Sequence, residues 1–219
     1  MSEPKNSNIL LVNKPSGPTS HDIVGMVRRA TGVKRVGHAG TLDPFASGLL
    51  IVLVGREMTK RQSEFLLMDK TYRAIIRLSG TSDTDDRTGI VTVRETGQYI
   101  DRTDVEKSLR SFIGEQDQMP SMYSAKKIRG LPAYKRLRRG EKVELTPKRI
   151  TIHSIDLESY EWPLLTVRIN VSSGTYIRAF ARDLGALLGC GAYVQELERT
   201  SIGPYRLEDS ITVEGITRS

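Results

Sequence analysis

One short stretch of the chain combines a histidine, a carboxylate and three glycines in a pattern that suits catalysis. It covers residues 37–50 and contains His38 and Asp43. Its glycines permit backbone angles that other residues avoid, and Asp43 precedes a proline, which favours a turn. An apolar run over residues 49–54 follows directly and predicts a buried strand. The sequence therefore predicts a carboxylate held on a tight loop at the mouth of a core strand, where catalytic residues are common.

The same stretch, GHAGTLDPFASG, resembles the catalytic motif of the TruB family of RNA pseudouridine synthases. An isolated Asp-Pro pair is usually only a turn, but a match of this length is specific. Phe45 stands where leucine is more usual in the family, which is a conservative change. The resemblance implies that Asp43 is the nucleophile.

Six further stretches resemble motifs of the same family, in the same order along the chain. They are residues 13–17, 70–72, 80–86, 120–127, 173–178 and 197–205. This agreement extends the resemblance over nearly the whole chain, and it implies a role for particular residues in each stretch.

The resemblance implies that Arg178 is the partner of Asp43. A fixed guanidinium counters the cost of burying the carboxylate and keeps it ionised. Tyr72 is implied to stack on a flipped uracil, and Tyr176 and Leu197 to line the same pocket. Without the resemblance, Arg178 is an arginine near a helix start, Tyr72 is a half-buried strand residue, and the other two are ordinary core residues.

Two more residues are expected to serve substrate binding. His38 is implied to enter the RNA loop and fill the space that the flipped base leaves, although a lone histidine is more often a surface or core side chain. Lys14 precedes Pro15 and is expected to support the motif loop, with a direct RNA contact as the further expectation.

The charge of +7 is concentrated in one segment. Between Lys126 and Arg149 there are ten basic and two acidic residues. Such a cluster predicts contact with a phosphate backbone, although many charge runs are only solvated surface. We expect a basic RNA-clamping segment at about 120–149, with a short helix over 133–139. Its predicted phosphate contacts are Lys126, Lys127, Arg129, Arg138 and Arg139.

Strand and helix patterns occur without strict alternation, which predicts an α+β fold rather than a doubly wound sheet. The resemblance implies a pseudouridine-synthase domain with a mixed, largely antiparallel sheet flanked by helices. No boundary resembles a linker, so we expect one domain over 1–219. Strands are predicted at 9–12, 49–54, 71–78, 90–93 and 164–172. Helices are predicted from Thr19 to Gly32, with Asp22 as the capping-box partner of Thr19, over 58–68, from a Thr103–Glu106 capping box to Gly114, and after Gly174.

Composition excludes several classes of protein. No apolar stretch is long enough to span a membrane, and the first residues carry no secretory signal. A single cysteine, Cys190, forms no internal disulfide and no multi-cysteine zinc site, which favours a reducing cytoplasm. Family members commonly carry a C-terminal PUA-type RNA-binding domain; after residue 215 the sequence leaves no room for one, so we expect it to be absent.

The resemblance implies isomerisation of the T-loop uridine of tRNA, position 55, to pseudouridine by base flipping. It implies a tRNA T-arm as partner, no metal, no cofactor and no required protein partner, and we expect a monomer. One alternative is the guide-dependent catalytic subunit of a box H/ACA particle. Another is a tRNA-binding or tRNA-folding protein without catalysis, which leaves the combination of Asp43, Tyr72 and Arg178 unexplained.

Overall fold

A computed structural model describes residues 8–93, 99–121, 127–128, 131–132 and 145–216. These residues form two compact units, Met1–Arg73 with Leu197–Ser219 (unit 1) and Ala74–Glu196 (unit 2). The predicted helix over 133–139 lies outside the described residues. So do four of the predicted phosphate contacts, Lys126, Arg129, Arg138 and Arg139, and the side chain of the fifth, Lys127.

Unit 1 combines a mixed sheet with short helices. Its first elements are β1 (Ile9–Lys14), α1 (Ser20–Thr31), β2 (Val36–Ala39), β3 (Ser47–Val54), α2 (Arg56–Lys60) and α3 (Gln62–Leu66). Its last elements are β13 (Tyr205–Arg206), a 3₁₀ turn (Leu207–Asp209), β14 (Ile211–Thr212) and α6 (Val213–Ile216). The chain leaves this unit within β4 (Lys70–Leu78) and returns within β12 (Ala192–Ile202).

Strand β3 is the centre of unit 1. It pairs with β1 and β2 in antiparallel fashion and with the end of β12 in parallel fashion. Leu50, Val52 and Val54 pack into the cluster that includes the apolar residues of α1, and Leu49, Ile51 and Leu53 pack with Met58 and Phe65 of α2 and α3. Helices therefore cover both faces of β3, which explains its unbroken apolar sequence.

Helix α1 has the capping box that the sequence predicts. The Thr19 hydroxyl accepts a hydrogen bond from the Asp22 amide at 3.1 Å, and the Asp22 carboxylate accepts one from the Thr19 amide at 2.8 Å. The hydrogen bonds from Thr19 lower the pKa of Asp22 below its ordinary value. The helix ends at Gly32, whose φ of 67° is a left-handed conformation that favours glycine.

Unit 2 contains the remaining elements. In chain order they are the main part of β4, then β5 (Gly80–Ser82), β6 (Val91–Val93), α4 (Arg102–Ser111), β7 (Gly114–Gln118), β8 (Lys127–Ile128), β9 (Leu131–Pro132), β10 (Lys148–Glu161), β11 (Leu164–Val171), α5 (Ile177–Leu187) and the start of β12. Strand β10 pairs with β7 and β11, and β5 pairs with β6, all antiparallel. Phe112, which follows α4, meets Phe180 of α5 edge to face with ring centroids 5.2 Å apart.

The structure confirms the α+β class and a mixed sheet, and it corrects two predicted helices. The 58–68 helix is two short helices that meet at Arg61, where the Arg61 amide donates to the Met58 carbonyl only three residues back, at 3.0 Å. Helix α4 starts at Arg102 with Asp101 at its N-cap, so the Thr103–Glu106 capping box is wrong. The carboxylate of Glu106 is instead bound by Arg102 at 2.8 Å.

Two long strands were not predicted, β10 and β12. Cys190 is buried, as expected of a small apolar side chain. None of the described helices is long and apolar enough to cross a membrane.

The capping box of α1 gives a first testable prediction. Thr19→Ala removes the hydroxyl that caps the Asp22 amide, and we expect the free energy of unfolding to fall by about 1 kcal/mol. Urea denaturation monitored by circular dichroism measures this change. Thr19→Ser is the matched control because it keeps the oxygen, and an equal loss in both variants would contradict the role of the hydroxyl.

Candidate active site

The Asp43 loop, residues 40–46, joins β2 to β3 in unit 1. Asp43 is half-buried, and its carbonyl accepts a hydrogen bond from the Ala46 amide at 3.1 Å, which closes a tight turn around Pro44. The loop begins at Gly40, whose φ is 96°. The predicted location of Asp43, on an irregular loop directly before a buried strand, agrees with this geometry.

A buried arginine holds the first half of the Asp43 loop. Arg199, on β12, is 1% exposed. Its guanidinium donates to the carbonyls of Gly40 at 3.1 Å, Thr41 at 3.5 Å and Leu49 at 2.8 Å. These contacts satisfy a buried cation with peptide dipoles and fix the path of the loop, since unsatisfied buried carbonyls are costly.

Gly48 allows this arginine to approach. It has a φ of 103° and lies opposite Arg199 in the β3–β12 pair. A side-chain Cβ at Gly48 would lie 2.4 Å from the Arg199 carbonyl oxygen, so only glycine fits here. Gly48 of the motif therefore allows β3 and β12 to lie close together next to the Asp43 loop.

The segment from Lys14, the last residue of β1, to Ser20, the first residue of α1, holds the second half of the loop. Lys14 is completely buried, and its ammonium donates to the carbonyls of Pro15 and Pro18, both at 2.8 Å, and of Pro44 at 3.3 Å. The Gly17 amide also donates to the Pro44 carbonyl, at 2.8 Å.

Two hydroxyl groups complete the support from this segment. Ser16 donates to the Phe45 carbonyl at 2.8 Å. Ser20 donates to the Leu42 carbonyl at 3.1 Å and accepts from the Leu42 amide at 2.9 Å. With the contacts of Arg199 and Lys14, each of the six carbonyls of residues 40–45 accepts a hydrogen bond.

Two buried cations, Lys14 and Arg199, contact the Asp43 loop and interact electrostatically. Burial lowers the pKa of Lys14 to about 8, the Asp43 carboxylate acts in the opposite direction, and the charge of Arg199 lowers it further. Lys14 and Asp43 are therefore close enough to attract each other. This geometry favours the loop-supporting role of Lys14, while its direct contact with RNA stays a prediction.

His38 lies on β2, five residues before Asp43. Its Nδ1 is buried and has no hydrogen-bond partner within the part of the chain that the structure describes. Burial, and then the charges of His21 and Arg199, lower the pKa of His38, so the imidazole is neutral at pH 7. Its carbonyl accepts a hydrogen bond from the Gln62 side chain at 2.6 Å, which fixes the strand next to α3.

Tyr72 and Leu197, the other predicted pocket residues of unit 1, lie on β4 and β12. Both are buried, with 9% and 7% of their surface exposed. The Thr200 hydroxyl donates to the Thr71 carbonyl at 3.2 Å, which links the two strands next to these residues. Their small exposed fractions agree with either a pocket wall or core packing.

Arg178 lies in the first turn of α5 in unit 2 and is 4% exposed. Its guanidinium forms an ion pair with Asp86 at 3.3 Å and donates to the Thr84 carbonyl at 2.9 Å. It also donates to the Ser121 hydroxyl at 3.5 Å. A buried, multiply bonded guanidinium has a fixed orientation, which is what a partner for a reacting carboxylate requires.

Two residues of the acidic, threonine-rich loop at 80–86, Thr84 and Asp86, contact Arg178. The Asp86 carboxylate accepts hydrogen bonds from the Thr84 hydroxyl at 2.9 Å, the Thr88 amide at 2.9 Å and the Thr88 hydroxyl at 2.6 Å. The neighbouring Asp85 has a left-handed backbone conformation, with a φ of 60°, and its carboxylate pairs with Arg182 at 3.4 Å. Burial raises the pKa of Asp85 above its ordinary value.

Tyr176 is the N-cap residue of α5. The Gln118 side chain accepts from its amide at 2.8 Å and donates to its carbonyl at 3.0 Å. This two-way amide contact fixes the backbone immediately before Arg178.

Within unit 1, Asp43, His38 and Lys14 share one loop system, and Tyr72 and Leu197 lie on neighbouring strands. Arg178 and Tyr176 share the start of α5 in unit 2.

Sequence reasoning did not assign roles to Arg199, Ser20, Asp86 and Gln118. Arg199 and Asp86 were inside recognised motifs, but their contacts are far apart in sequence, so no local pattern identifies their roles.

The described residues contain no group of three or more His, Cys, Asp or Glu side chains that could hold a metal ion.

The pKa of Lys14 gives a second prediction, on stability. Its ordinary value is 10.5 and its value in the folded chain is about 8, so the unfolded chain binds more protons between these pH values. Stability contributed by this site should therefore rise with pH in that window, by about 1.4 kcal/mol per unit, and be constant below it.

The measurement is the free energy of unfolding of wild type minus that of Lys14→Met, by urea denaturation from pH 7 to 10.5. Subtraction removes the titration of other groups. A difference that does not change with pH would contradict the low pKa, and direct NMR titration of the Lys14 ammonium provides the answer if the variant does not fold.

Comparisons with known proteins agree with these motifs. Residues 28–177 match the sequence family described as TruB family pseudouridylate synthase (N terminal domain), and residues 178–219 match the tRNA pseudouridylate synthase B C-terminal domain. The single-domain assignment over 1–219 stays a prediction.

Curated relatives named tRNA pseudouridine synthase B are similar over most of the chain. The one from Dehalococcoides mccartyi is 47% identical and covers 93% of this chain and 67% of the relative. The one from Syntrophotalea carbinolica is 42% identical, with 96% and 68% covered. The one from Opitutus terrae is 40% identical, with 95% and 86% covered.

Solved structures show the same fold. A Cbf5–Nop10–Gar1 complex matches with a TM-score of 0.73 and 26% identity, and the match covers 94% of this chain and 52% of that chain. An archaeal box H/ACA Nop10–Cbf5 complex matches with a TM-score of 0.70 and 25% identity, and covers 96% of this chain and 52% of that chain. This chain thus spans about half the length of these structural neighbours.

The family matches and the identities of 40–47% across more than nine-tenths of the sequence show that the chain belongs to the TruB family of pseudouridylate synthases.

Proposed function

We propose that this protein isomerises the T-loop uridine of tRNA to pseudouridine, with Asp43 as the nucleophile. The observation that carries the proposal is the Asp43 loop, where all six carbonyls of residues 40–45 are engaged while the Asp43 carboxylate stays half-buried. The curated relatives carry the name tRNA pseudouridine synthase B, which supports pseudouridine formation in tRNA.

The reaction needs a positioned carboxylate and no external reagent. The bond from the ribose to N1 of uracil breaks, the base rotates, and C5 forms the new bond. C5 loses a proton and N1 gains one, so atoms and electrons balance. A target uridine inside folded RNA must first leave the stack.

Each predicted site residue has a proposed task in this reaction. Arg178 is the cation that stabilises the nucleophile, and its contacts with Asp86 and Thr84 support a fixed orientation. Tyr72 stacks on the flipped uracil, and Tyr176 and Leu197 line its pocket. The pairing of Asp43 with Arg178 stays a prediction.

Binding of the RNA is proposed to involve His38 and Lys14 near the loop, and the basic segment at about 120–149. His38 is neutral and has a buried Nδ1 without a partner among the described residues, which supports a role for this side chain toward RNA. Action in the cytoplasm, as a monomer without a protein partner, is part of the same proposal.

The likeness to Cbf5 complexes favours one second candidate, a guide-dependent subunit of a box H/ACA particle. A single assay separates the candidates: purified protein is incubated with an unmodified tRNA transcript, without guide RNA, and pseudouridine is mapped. Product in the T-loop supports the proposal. Product only with a guide supports the second candidate, and binding without product supports a non-catalytic RNA-binding protein.

The nucleophile gives a third prediction. Asp43→Asn keeps the shape of the side chain and removes its negative charge, so we expect isomerisation to be abolished and tRNA affinity to stay within about tenfold of wild type. Asp22→Asn is the control, since Asp22 is an exposed carboxylate of the same unit that caps α1. Substantial turnover by Asp43→Asn would show that another group is the nucleophile.

Arg178 gives a fourth prediction. Lysine keeps the charge but loses the planar fork, so Arg178→Lys should lower the single-turnover rate far more than the affinity for tRNA. The control is Arg182→Lys on the same helix, whose guanidinium contacts Asp85. A near-normal rate in Arg178→Lys, or an equal loss in both variants, would remove Arg178 from the mechanism.

A further inference from the structure

Five exposed cations of unit 1 lie together, where α1 ends, β2 begins and α2 begins. They are Arg28, Arg29, Lys34, Arg35 and Arg56, and we call them the basic surface of unit 1. Backbone contacts bring them together. The Gly55 amide donates to the Arg35 carbonyl at 2.7 Å, which places Arg56 beside Arg35, and the Arg28 guanidinium lies 3.4 Å from the Val36 carbonyl.

The charges of this surface are not compensated by carboxylates. Among the residues that the structure describes, none of the five forms an ion pair, whereas the neighbouring Lys60 and Arg61 pair with Glu57 and Glu64 at 3.0 and 2.8 Å. The dipole at the end of α1 accounts for cations in its last turn. It does not account for Lys34, Arg35 and Arg56, which lie beyond the helix and repel one another.

The surface is remote from Asp43 by two independent measures. β3 begins directly after the Asp43 loop at Ser47 and ends at Val54, just before Arg56. Seven steps of about 3.3 Å give a separation of about 23 Å along this strand. α1 begins at Ser20, which is bonded to Leu42, and its 12 residues span about 18 Å before the surface is reached.

We infer that the basic surface of unit 1 binds the phosphate backbone of the RNA substrate at nucleotides remote from the flipped base. The inference rests on the proposed tRNA substrate. Five uncompensated cations on one surface match a polyanion, since release of its counterions makes binding favourable. A distance of about 20 Å exceeds one flipped nucleotide, so this surface meets an RNA stem beyond the loop.

The test compares two matched triple variants of the full chain. Arg29→Gln, Arg35→Gln and Arg56→Gln together remove three charges from the surface. The control changes Arg102, Arg110 and Arg168 to Gln, which are also exposed but pair with Glu106 or Glu158. Both variants lose the same net charge. Arg28 is left in place because of its contact with Val36.

Affinity for full-length tRNA transcript is measured across a salt series. The surface variant should bind roughly tenfold more weakly at low salt, and its log–log slope should fall by roughly 0.7–0.9 per lost contact. The control should match wild type. The single-turnover rate at saturating tRNA should be unchanged in both, because none of these residues is near Asp43.

RNA length tests the remote location. A hairpin with the T-loop and a stem truncated so that it is too short to span about 20 Å should bind wild type and the surface variant equally. An equal loss on hairpin and tRNA would place the contact near the flipped base and overturn the inference. Equal salt slopes for wild type and surface variant on tRNA would overturn it as well.

Two further outcomes are distinguishable. If the surface variant lost binding to anionic phospholipid vesicles and kept its tRNA affinity, the surface would belong to a membrane and not to RNA. If wild type bound tRNA and formed no pseudouridine, the proposed function would fail, while the salt slopes would still decide whether the surface contacts RNA.

Discussion

The architecture of unit 1 depends on one constraint: six consecutive backbone carbonyls, in residues 40–45, need hydrogen-bond donors. A tight loop at the mouth of a buried strand cannot pair with a neighbouring strand, and carbonyls left unpaired there are costly. The donors come from Arg199, Lys14, Ser16 and Ser20 and from two backbone amides. The position of Asp43 is therefore fixed by the backbone around it.

This constraint explains why charged residues lie in the core. Burying Arg199 and Lys14 carries a large desolvation cost, and peptide dipoles offset it because each cation meets several carbonyls. The low pKa of Lys14 reflects the part of the cost that is not offset. An apolar replacement would avoid the desolvation and would leave the loop without donors.

Unit 2 also contains a buried cation, Arg178, whose partners are a carbonyl and the carboxylate of Asp86. Arg178 bonds to the Thr84 carbonyl, as Arg199 bonds to carbonyls of the Asp43 loop, and it also pairs with Asp86. Because Asp86 receives three hydrogen bonds from Thr84 and Thr88, the carboxylate is fixed as well as the guanidinium. The irregular loop and the arginine therefore stabilise each other.

The sequence predicted those elements whose pattern lies within a few neighbouring residues. The apolar run of β3 and the capping box of α1 were both predicted correctly. β10 was missed because most of its residues are exposed and two register shifts interrupt its alternation. The role of Arg199 was missed because its carbonyl partners at Gly40 and Leu49 are about 150 residues away. The sequence resemblance assigned roles in the chemistry, and of the residues that support the Asp43 loop only Lys14 was predicted.

Strand β3 is buried on both faces, and this packing connects the Asp43 loop to the proposed selection of the substrate. Apolar clusters pack against both faces of this strand, so its two ends have little freedom to move relative to each other. One end carries the loop of Asp43, and the other leads into Arg56 on the basic surface. The inferred phosphate contact at the second end would therefore lie at a fixed separation of about 23 Å from the Asp43 loop. In the proposed function, selection of a uridine would then depend on the shape of the folded RNA as well as on the base, because only an RNA that spans this distance would contact both ends.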